Sequence, residues 1–357
     1  MRRTVLLALA LALAACSAPQ PVGVLPPAIT PSPPAHVLHE RTSASDFQAG
    51  VTLLLYGNDA RYPTLSPILL DRLAHDGANS LGIVIPLYQS SRTSSDIGTD
   101  PVQTPSDAEI SSIIIDARTR GFTVLLRPVL DEANAGPLPH WRGDLNPSDP
   151  ALWFANYSKV ILHYAALAAS VHADGLGVGT ELHSMESNTA AWSDLVANVQ
   201  KVFPGWLTYS SNWSTPPSQA FLTQIVPSFA FVAVDAYYPL TTTPIPTQPQ
   251  LQAAWTARAL PDLAARAKAA GKPVVLTEIG VIPYDGVFNT PWDWSSTTAY
   301  DPAVQAAYYT SACSVLKPAV SGIYWWNVGL VLPQAPKGGF NPLVLPATEA
   351  SLQECYT

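Results

Sequence analysis

Charged side chains are scarce in this chain, and basic ones are scarcer than acidic ones. Only 12% of the 357 residues are Asp, Glu, Lys or Arg, and the formal net charge is −8. Without Arg2 and Arg3, 16 basic residues stand against 26 acidic ones, and no basic cluster is present. This balance argues against nucleic acids and polyanionic sugars as partners. A surface built from Ser, Thr, Asn, Gln and Pro suits a neutral partner rich in hydroxyl groups.

Several well-known site motifs are missing as well. No glycine-rich phosphate loop is present, which argues against an open nucleotide-binding sheet. No serine has the strand–turn–helix context of a Ser-His-Asp nucleophile. His183 and Glu186 lie close together in sequence, but no third ligand accompanies them. We therefore expect no metal site and no cofactor.

The chain opens with an apolar segment. Two arginines precede residues 5–15, an apolar stretch too short to cross a bilayer as a stable helix. It ends in Leu13-Ala14-Ala15-Cys16, which resembles a bacterial lipobox and implies cleavage before Cys16 and lipidation of that residue. An ordinary secretory signal with an incidental cysteine is the alternative. We predict a signal peptide over residues 1–15 and a lipid anchor at the bacterial cell envelope or its extracellular face.

Prolines define the segment that follows. Residues 16–45 contain seven prolines, which favour an extended, semi-rigid tether. About 310 residues remain, and no later Pro/Ser-rich linker divides them. That length suits a single α/β barrel over residues 46–357. We expect the barrel to be a monomer.

The chain has three cysteines, and lipidation of Cys16 would leave two of them in the barrel. Outside the cytoplasm, a disulfide between Cys313 and Cys355 would tie the C-terminal tail to the last long helix. Two unpaired, buried thiols are the alternative. The sequence does not decide between them.

Eight short apolar runs recur along the chain and predict eight strands. Most of them are continuous rather than alternating, as expected for parallel strands that are buried on both faces. The predicted strands cover residues 51–56, 81–87, 123–129, 175–180, 207–211, 229–236, 273–277 and 322–326.

Helical patterns separate the predicted strands. Thr104-Pro105, Asp149-Pro150 and Asp301-Pro302 each place a capping side chain before a proline, which predicts a helix start. Eight helices in strict alternation with eight strands predict a (β/α)₈ barrel, an α/β fold.

Two glutamates end predicted strands and are the strongest functional signal. Glu181 follows the fourth strand and Glu278 follows the seventh. The C-terminal ends of barrel strands converge on one rim, which is where catalysis takes place in this fold. Two carboxylates on one rim are the groups that cleave a glycosidic bond.

The long loops at the same rim are aromatic. A pyranose has an apolar face that packs on flat indole rings, while its hydroxyls need polar partners. Tryptophans occur after strands three, five and seven and at the end of strand eight, and a pair of tyrosines follows strand six. These residues are Trp141, Trp213, Tyr237, Tyr238, Trp292, Trp294, Trp325 and Trp326.

Taken together, these stretches resemble glycoside hydrolase family 113, a clan A barrel family best known for β-mannanases. The similarity spans residues 50–335. It rests on Trp141-Arg142-Gly143, Asp149-Pro150, Trp153-Phe154, Asn156-Tyr157, Gly179-Thr180-Glu181-Leu182, Tyr209, Asn212-Trp213, Asp235, Tyr237-Tyr238-Pro239-Leu240, Thr277-Glu278, Gly280 and Tyr324-Trp325-Trp326.

The resemblance implies a retaining hydrolase that acts on a neutral β-linked polysaccharide or oligosaccharide, with β-1,4-mannan as the first choice. Glu181 is then the general acid/base and Glu278 the nucleophile. The same mechanism on a β-glucan or galactan is the nearest alternative, and a non-catalytic carbohydrate-binding lipoprotein is the other. Endo or exo cleavage, and transfer to water or to a sugar, stay open.

The substrate-binding residues follow from positions near the two glutamates. We expect Tyr237 to donate a hydrogen bond to Glu278, and Asn212 to bind a sugar hydroxyl near Glu181. Trp213 and Trp141 would line neighbouring subsites, and the Arg142 side chain would bond hydroxyls.

One aromatic pair and one cation complete the set. Either Trp325 or Trp326 would form the floor beneath the sugar that is cleaved, because neighbours on a strand point in opposite directions. The family tends to read Lys-Pro-His after strand three, whereas this chain reads Arg127-Pro128-Val129. Arg127 would keep the cationic role and contact the sugar. The segment 328–345 is another departure from the family.

Overall fold

Eight parallel strands close into a barrel in the computed structural model. The structure describes residues 23–24, 47–133, 141–332 and 339–357. The strands are β1 (Gln48–Leu54), β2 (Ser80–Gln89), β3 (Thr123–Glu132), β4 (Gly175–Thr180), β5 (Trp206–Asn212), β6 (Val232–Asp235), β7 (Val274–Ile279) and β8 (Gly322–Val328). Each strand pairs with the next in sequence, and β8 pairs with β1, which closes the ring. The predicted (β/α)₈ barrel is confirmed.

Nine α-helices surround the strands in the described part of the chain. They are α1 (Tyr62–His75), α2 (Asp107–Thr119), α3 (Pro150–Ser170), α4 (Thr189–Val202), α5 (Gln219–Gln224), α6 (Gln248–Arg258), α7 (Leu260–Ala270), α8 (Pro302–Leu316) and α9 (Pro346–Tyr356). Two helices, α6 and α7, fill the connection between β6 and β7. The predicted strict alternation is therefore wrong at this one connection, where a second helix with Pro261 in its first turn begins directly after the first.

Two of the three predicted helix starts are confirmed. Asp149 accepts a hydrogen bond from the Leu152 N–H (2.9 Å), and Asp301 accepts one from the Ala303 N–H (2.9 Å). Each carboxylate thereby satisfies a backbone donor that the first turn leaves without a partner.

The third predicted start, at Thr104, is wrong. Helix α2 begins at Asp107, where Ser106 and Glu109 form a capping box. The Thr104 hydroxyl instead donates to the Pro86 carbonyl (2.9 Å) near the end of β2. A tertiary contact therefore uses the side chain that the local pattern had assigned to a cap.

A tyrosine fills the barrel interior beneath the C-terminal ends of the strands. Tyr324 on β8 is fully buried, and its hydroxyl donates to Gln48 Oε1 (2.6 Å). Its ring lies against Gly50, where an added Cβ would approach the ring to 2.5 Å. Glycine at that position allows the ring to close the interior, so that the open space lies at the C-terminal ends of the strands.

The C-terminal helix α9 covers the junction where β8 meets β1. Tyr356 donates its hydroxyl to the carbonyls of Gly50 (2.6 Å) and Ile323 (2.8 Å). Arg72 on α1 forms an ion pair with Glu349 on α9 (2.6 Å). Helix α9 thereby stabilises the closure of the ring.

Most N-terminal features predicted from the sequence lie outside the described residues. They are the signal over 1–15, the lipidation site Cys16 and almost all of the tether over 16–45. Residues 23–24 are described, and they pair antiparallel with residues 331–332. A second short strand, Ile97–Gly98, pairs antiparallel with the end of β2. In the part of the chain that the structure describes, no helix is both long and apolar enough to cross a bilayer.

A disulfide joins α8 to α9. It links Cys313 to Cys355, whose Cα atoms are 5.6 Å apart and which are 42 residues apart in sequence. Closing a loop of this length restricts the unfolded chain and stabilises a fold by about 2–4 kcal/mol.

We predict that the double variant Cys313→Ser/Cys355→Ser loses about 2–4 kcal/mol of unfolding free energy. Urea unfolding of the oxidised protein, with and without dithiothreitol, measures the loss. The reductant should destabilise the wild type by a similar amount and leave the double variant unchanged. If dithiothreitol leaves the unfolding free energy of the wild type unchanged, the two sulfurs are not bonded.

Candidate active site

Glu181 stands at the C-terminal end of β4 in an unusual backbone conformation. Its φ is +55°, in the left-handed region that side chains other than glycine seldom adopt. Its N–H donates to the Ser210 carbonyl on β5 (2.7 Å), which holds the backbone in place. Non-glycine residues in such conformations cluster at functional sites.

Three donors converge on the Glu181 carboxylate. Asn212 Nδ2 lies 2.5 Å from Oε1, while Trp141 Nε1 (2.9 Å) and Arg142 Nη1 (3.1 Å) both reach Oε2. The Asn212 amide is oriented by Ser214, whose N–H and hydroxyl both donate to its Oδ1 (2.8 Å each). Its NH₂ group therefore faces Glu181.

Glu278 lies within β7, and two side chains from other strands or loops donate hydrogen bonds to its carboxylate. The Tyr237 hydroxyl, just after β6, donates to Oε2 (3.0 Å), and Arg127 Nη2 on β3 donates to Oε1 (2.9 Å). Arg127 is 1% exposed and also donates to the Thr277 carbonyl (3.0 Å). A guanidinium inside the barrel thus supports the carboxylate from below.

The protonation of Glu278 reflects competing influences. Burial is the largest of them and raises the pKa of Glu278 above its ordinary value, and the negative charge of Glu181 adds to the rise. The positive charges of Arg127 and Arg142 and the hydrogen bond from Tyr237 oppose it.

Asp235 at the end of β6 is a third acid close to this pair. It is fully buried, accepts a hydrogen bond from the Thr277 hydroxyl (2.8 Å) and lies 3.4 Å from Arg127. Burial and the charge of Glu278 raise the pKa of Asp235 well above its usual range. Asp235 and Glu278 both face the positive charge of Arg127, and the closer contact is with Glu278 (2.9 Å).

Both glutamates open onto one cavity of about 660 Å³. A smaller recess of about 60 Å³ adjoins it and shares Glu278 and Trp326 as lining residues. The other residues that line the large cavity are Leu54, Tyr56, Trp141, Arg142, Asn212, Trp213, Ser214, Tyr237, Trp292, Trp294, Asn327 and Phe340. Two carboxylates, several indoles and few charges make up a site for a neutral sugar.

The profile of Glycoside Hydrolase Family 113 matches residues 65–337, about three quarters of the chain. The chain belongs to glycoside hydrolase family 113. The family predicted from the sequence motifs is confirmed, and the protein is an enzyme of the glycoside hydrolase class. A search of the curated proteins found no significant match.

Solved structures with the same fold include other members of the family. A family 113 β-mannanase from Alicyclobacillus acidocaldarius, in complex with ManMIm, is 22% identical, with a TM-score of 0.73 over 87% of this chain and 97% of that one. A family 113 β-1,4-mannanase is 21% identical, with a TM-score of 0.74 over 87% and 99%. A family 5 mannosidase from Rhizomucor miehei is 10% identical, with a TM-score of 0.53 over 87% and 94%.

The structure separates the two tryptophans at the end of β8 in this family 113 enzyme. Trp326 lines the cavity and the recess. Trp325 is fully buried outside them, with its ring stacked on Tyr309 of α8 (3.7 Å between centroids, 12° between planes). Trp325 therefore packs the barrel against a helix, which corrects its inclusion among the sugar-binding residues.

Arg127 also differs from its predicted role. Its guanidinium is 1% exposed and is engaged by Glu278, Asp235 and the Thr277 carbonyl, and it does not line the cavity. We expected a sugar contact, but the side chain contacts the carboxylate instead. The predicted cation therefore lies behind Glu278, out of reach of a sugar in the cavity.

The remaining predicted side chains are brought together. Trp141, Arg142, Asn212, Trp213 and Tyr237 all line the cavity. The first three donate hydrogen bonds to the Glu181 carboxylate, whereas we had predicted contacts with the sugar for them.

Sequence reasoning missed several residues of the site. Tyr56 follows β1, Phe340 follows the segment after β8, and Asp131 lies near the end of β3, where it pairs with Arg142. Tyr56 and Asp131 occupy the C-terminal ends of their strands, the same signal that identified the glutamates. Phe340 carries no such signal, because it lies in a loop.

Within the described ranges, no group of three or more His, Cys, Asp or Glu side chains has the arrangement of a metal site.

Proposed function

We propose that this family 113 enzyme cleaves a neutral β-linked polysaccharide or oligosaccharide, β-1,4-mannan, by double displacement with retention at the anomeric carbon. The observation that carries the proposal is that Glu181 and Glu278 open onto one cavity while each is held by different donors. Two carboxyl groups on one site, in different environments, are what the two steps require.

In the first step, Glu278 attacks the anomeric carbon and forms a covalent glycosyl-enzyme. Arg127 and Tyr237 hold one oxygen each, which fixes the direction of the carboxylate. Glu181 gives a proton to the departing sugar oxygen. In the second step, Glu181 takes a proton from water, and the water oxygen displaces Glu278 from the carbon.

Trp141 and Arg142 act on Glu181 from the segment after β3. The Arg142 side chain also pairs with Asp131 and donates to the Leu130 carbonyl (3.0 Å), so all three of its nitrogens have partners within the protein. Its main role is to orient Glu181 toward the cavity. The sugar contact that we predicted for Arg142 is secondary to that role.

Aromatic rings supply the binding surface. Trp326 would lie beneath the sugar that is cleaved, since it lines both the cavity and the recess that contain Glu278. Trp141 and Trp213 would line the neighbouring positions. Such rings pack against the C–H face of a pyranose, and few charged groups are needed.

The proposed sugar, β-1,4-linked mannan, follows from the solved structures to which this chain is similar. Three family and clan relatives with this fold are described as a β-mannanase, a β-1,4-mannanase and a mannosidase. One observation favours a second candidate, a β-glucan or galactan. Val129 lines the recess where the family tends to carry an imidazole, so one hydrogen-bonding group for sugar hydroxyls is replaced by an apolar one.

Attachment to a membrane is a separate proposal that rests on the sequence. Lipidation of Cys16 would hold a monomeric enzyme at the bacterial cell envelope, with residues 16–45 as the spacer. Mass spectrometry of the N-terminal peptide tests it, since an unmodified Cys16 or a signal cleaved elsewhere would refute it.

We predict distinct losses for the two glutamates. On mannan, Glu181→Ala should lose about 10²–10⁴-fold in kcat/KM, the usual contribution of a general acid/base. On a dinitrophenyl β-mannobioside, whose leaving group needs no proton, glycosyl-enzyme formation should be spared. Glu278→Ala should fail on both substrates.

Azide separates the roles further. It should restore Glu278→Ala with an α-glycosyl azide as product, and Glu181→Ala with a β-glycosyl azide. Glu186→Gln is the matched control, because Glu186 is buried outside the cavity and bonded to Tyr209 (2.9 Å), and it should stay within a few-fold of wild type. Equal losses on both substrates, or azide products of the opposite anomers, would contradict the assignment. Hydrolysis of gluco- or galacto-oligosaccharides in preference to manno-oligosaccharides would replace the sugar but keep the mechanism.

We also predict a shift in pH dependence for Tyr237→Phe. Glu278 must be ionised to attack, so activity falls as the pH drops through its pKa. The lost hydrogen bond favoured the ionised form, and its removal raises the pKa of Glu278 further. A bond to a charged group is worth about 1.5–3 kcal/mol, which corresponds to an upward shift of the acid limb by about 1–2 pH units.

The measurement is kcat/KM against pH for wild type and variant. Tyr238→Phe is the control, since the Tyr238 hydroxyl donates to Asp262 (2.5 Å) and not to either glutamate. Its acid limb should match the wild type. An unmoved or lowered acid limb in Tyr237→Phe would show that this hydroxyl does not act on Glu278.

A further inference from the structure

We propose that Trp292 and Trp294, in the loop between β7 and α8, form with Trp213 an aromatic platform for a sugar on the leaving-group side of the scissile bond. The ligand is a pyranose of a β-linked chain, at least one residue beyond the sugar that carries the leaving oxygen. The inference rests on the proposed function and extends it to the length of chain that the enzyme binds.

The three indoles form one wall of the cavity. The rings of Trp213 and Trp292 are stacked, with centroids 5.8 Å apart and planes at 21°. Trp294 lines the same cavity as both of them and both glutamates. A pair of nearly parallel rings beside open space presents a flat apolar surface of the kind on which a pyranose ring packs.

Exposure sets two of these residues apart. Trp292 is 45% exposed and Trp294 is 75% exposed, and they are the two most exposed of the ten tryptophans. Neighbouring exposed indoles are costly in water, and large exposed apolar groups beside a cavity mark a binding surface. Trp292 packs on Trp213, yet both Trp292 and Trp294 keep a large exposed surface beside the cavity.

The loop that carries them is fixed before any ligand arrives. At its base, the Asp285 N–H donates to the Ala299 carbonyl (2.9 Å), and the Leu240 N–H donates to the Phe288 carbonyl (2.7 Å). Between the two tryptophans, Asp293 accepts from the N–H (2.8 Å) and the hydroxyl (2.7 Å) of Ser295. A loop ordered in this way loses little conformational freedom when a sugar binds.

The side of the site follows from Glu181. The leaving oxygen takes its proton from Glu181, so the leaving-group sugars lie on the Glu181 side of the cavity. Asn212 donates to Glu181 and directly precedes Trp213. The platform therefore begins beside the acid/base, where the leaving-group sugar would lie.

The test compares long and short substrates in Trp292→Ala and Trp294→Ala. On mannohexaose, kcat/KM should fall about 10-fold, or about 1.4 kcal/mol, near the upper end of what one aromatic contact supplies. On dinitrophenyl β-mannobioside, whose leaving group is too short to reach the platform, kcat/KM should stay within twofold. Trp294→Phe should recover part of the loss. Ile245→Ala, which removes an exposed apolar side chain outside the cavity, is the control and should change neither substrate.

The position of the cut decides the side. Hexaose labelled at its reducing end should give shorter labelled fragments with the variants, because fewer sugars are then held on the leaving-group side. Longer labelled fragments, an equal loss on both substrates, or no loss on either would overturn the proposal.

Failure of the proposed function has a different signature. If wild type cleaves none of these sugars, the proposed function is wrong, and calorimetric binding of mannohexaose and cellohexaose decides the platform alone. Binding that weakens in both tryptophan variants and not in Ile245→Ala supports it. Binding that is equal in all four proteins, or absent from all, refutes it.

Discussion

Everything in this site depends on two buried carboxylates that share one cavity without sharing donors. Glu278 is held by groups that belong to the barrel itself, the guanidinium of Arg127 and the hydroxyl of Tyr237. Glu181 is held by Asn212 and by the segment that follows β3. Like charges close together in a low-dielectric site cannot both ionise freely, so the surrounding donors decide which group carries the proton.

The two sets of donors also differ in how firmly they are placed. Arg127 lies inside the barrel, where strand register fixes it, and its Nη2 lies closer to Glu278 (2.9 Å) than to Asp235 (3.4 Å). A buried cation of this kind would be costly without a partner, and the partner is the reacting group. Glu181 relies on a strained backbone at the end of β4, and residues outside the strands complete its environment. In the proposed mechanism, the attacking group is thus built into the scaffold, and the proton donor is positioned from the rim.

Much of this could be predicted from the sequence because it depends on local patterns. Continuous apolar runs identified all eight strands, and Asp149 and Asp301 marked helix starts through their own side chains. Glu181 and Glu278 were found because a strand's last residue must lie on the rim. The same reasoning applied to Asp131 would have added it to the site.

What escaped prediction depends on contacts distant in sequence. Trp325 and Trp326 look alike in the sequence, and only the structure shows that Trp325 packs on Tyr309 while Trp326 lines the cavity. Arg127 finds Glu278 across the barrel, 151 residues away. Thr104 looked like a cap, but a carbonyl of β2 takes its hydroxyl. The sequence identified Trp292 and Trp294 as aromatic loop residues. Only their exposure beside Trp213 in the structure suggests that they bind a sugar.

The stereochemical course of hydrolysis tests the central claim most directly. Proton NMR of a β-1,4-manno-oligosaccharide during the first minutes of reaction, before mutarotation, identifies the anomer that is released first. If Glu278 attacks the anomeric carbon and Glu181 then activates water on the opposite face, which the leaving group has vacated, the first product is the β-anomer. Release of the α-anomer first would mean that water attacks directly, and it would contradict a covalent intermediate on Glu278.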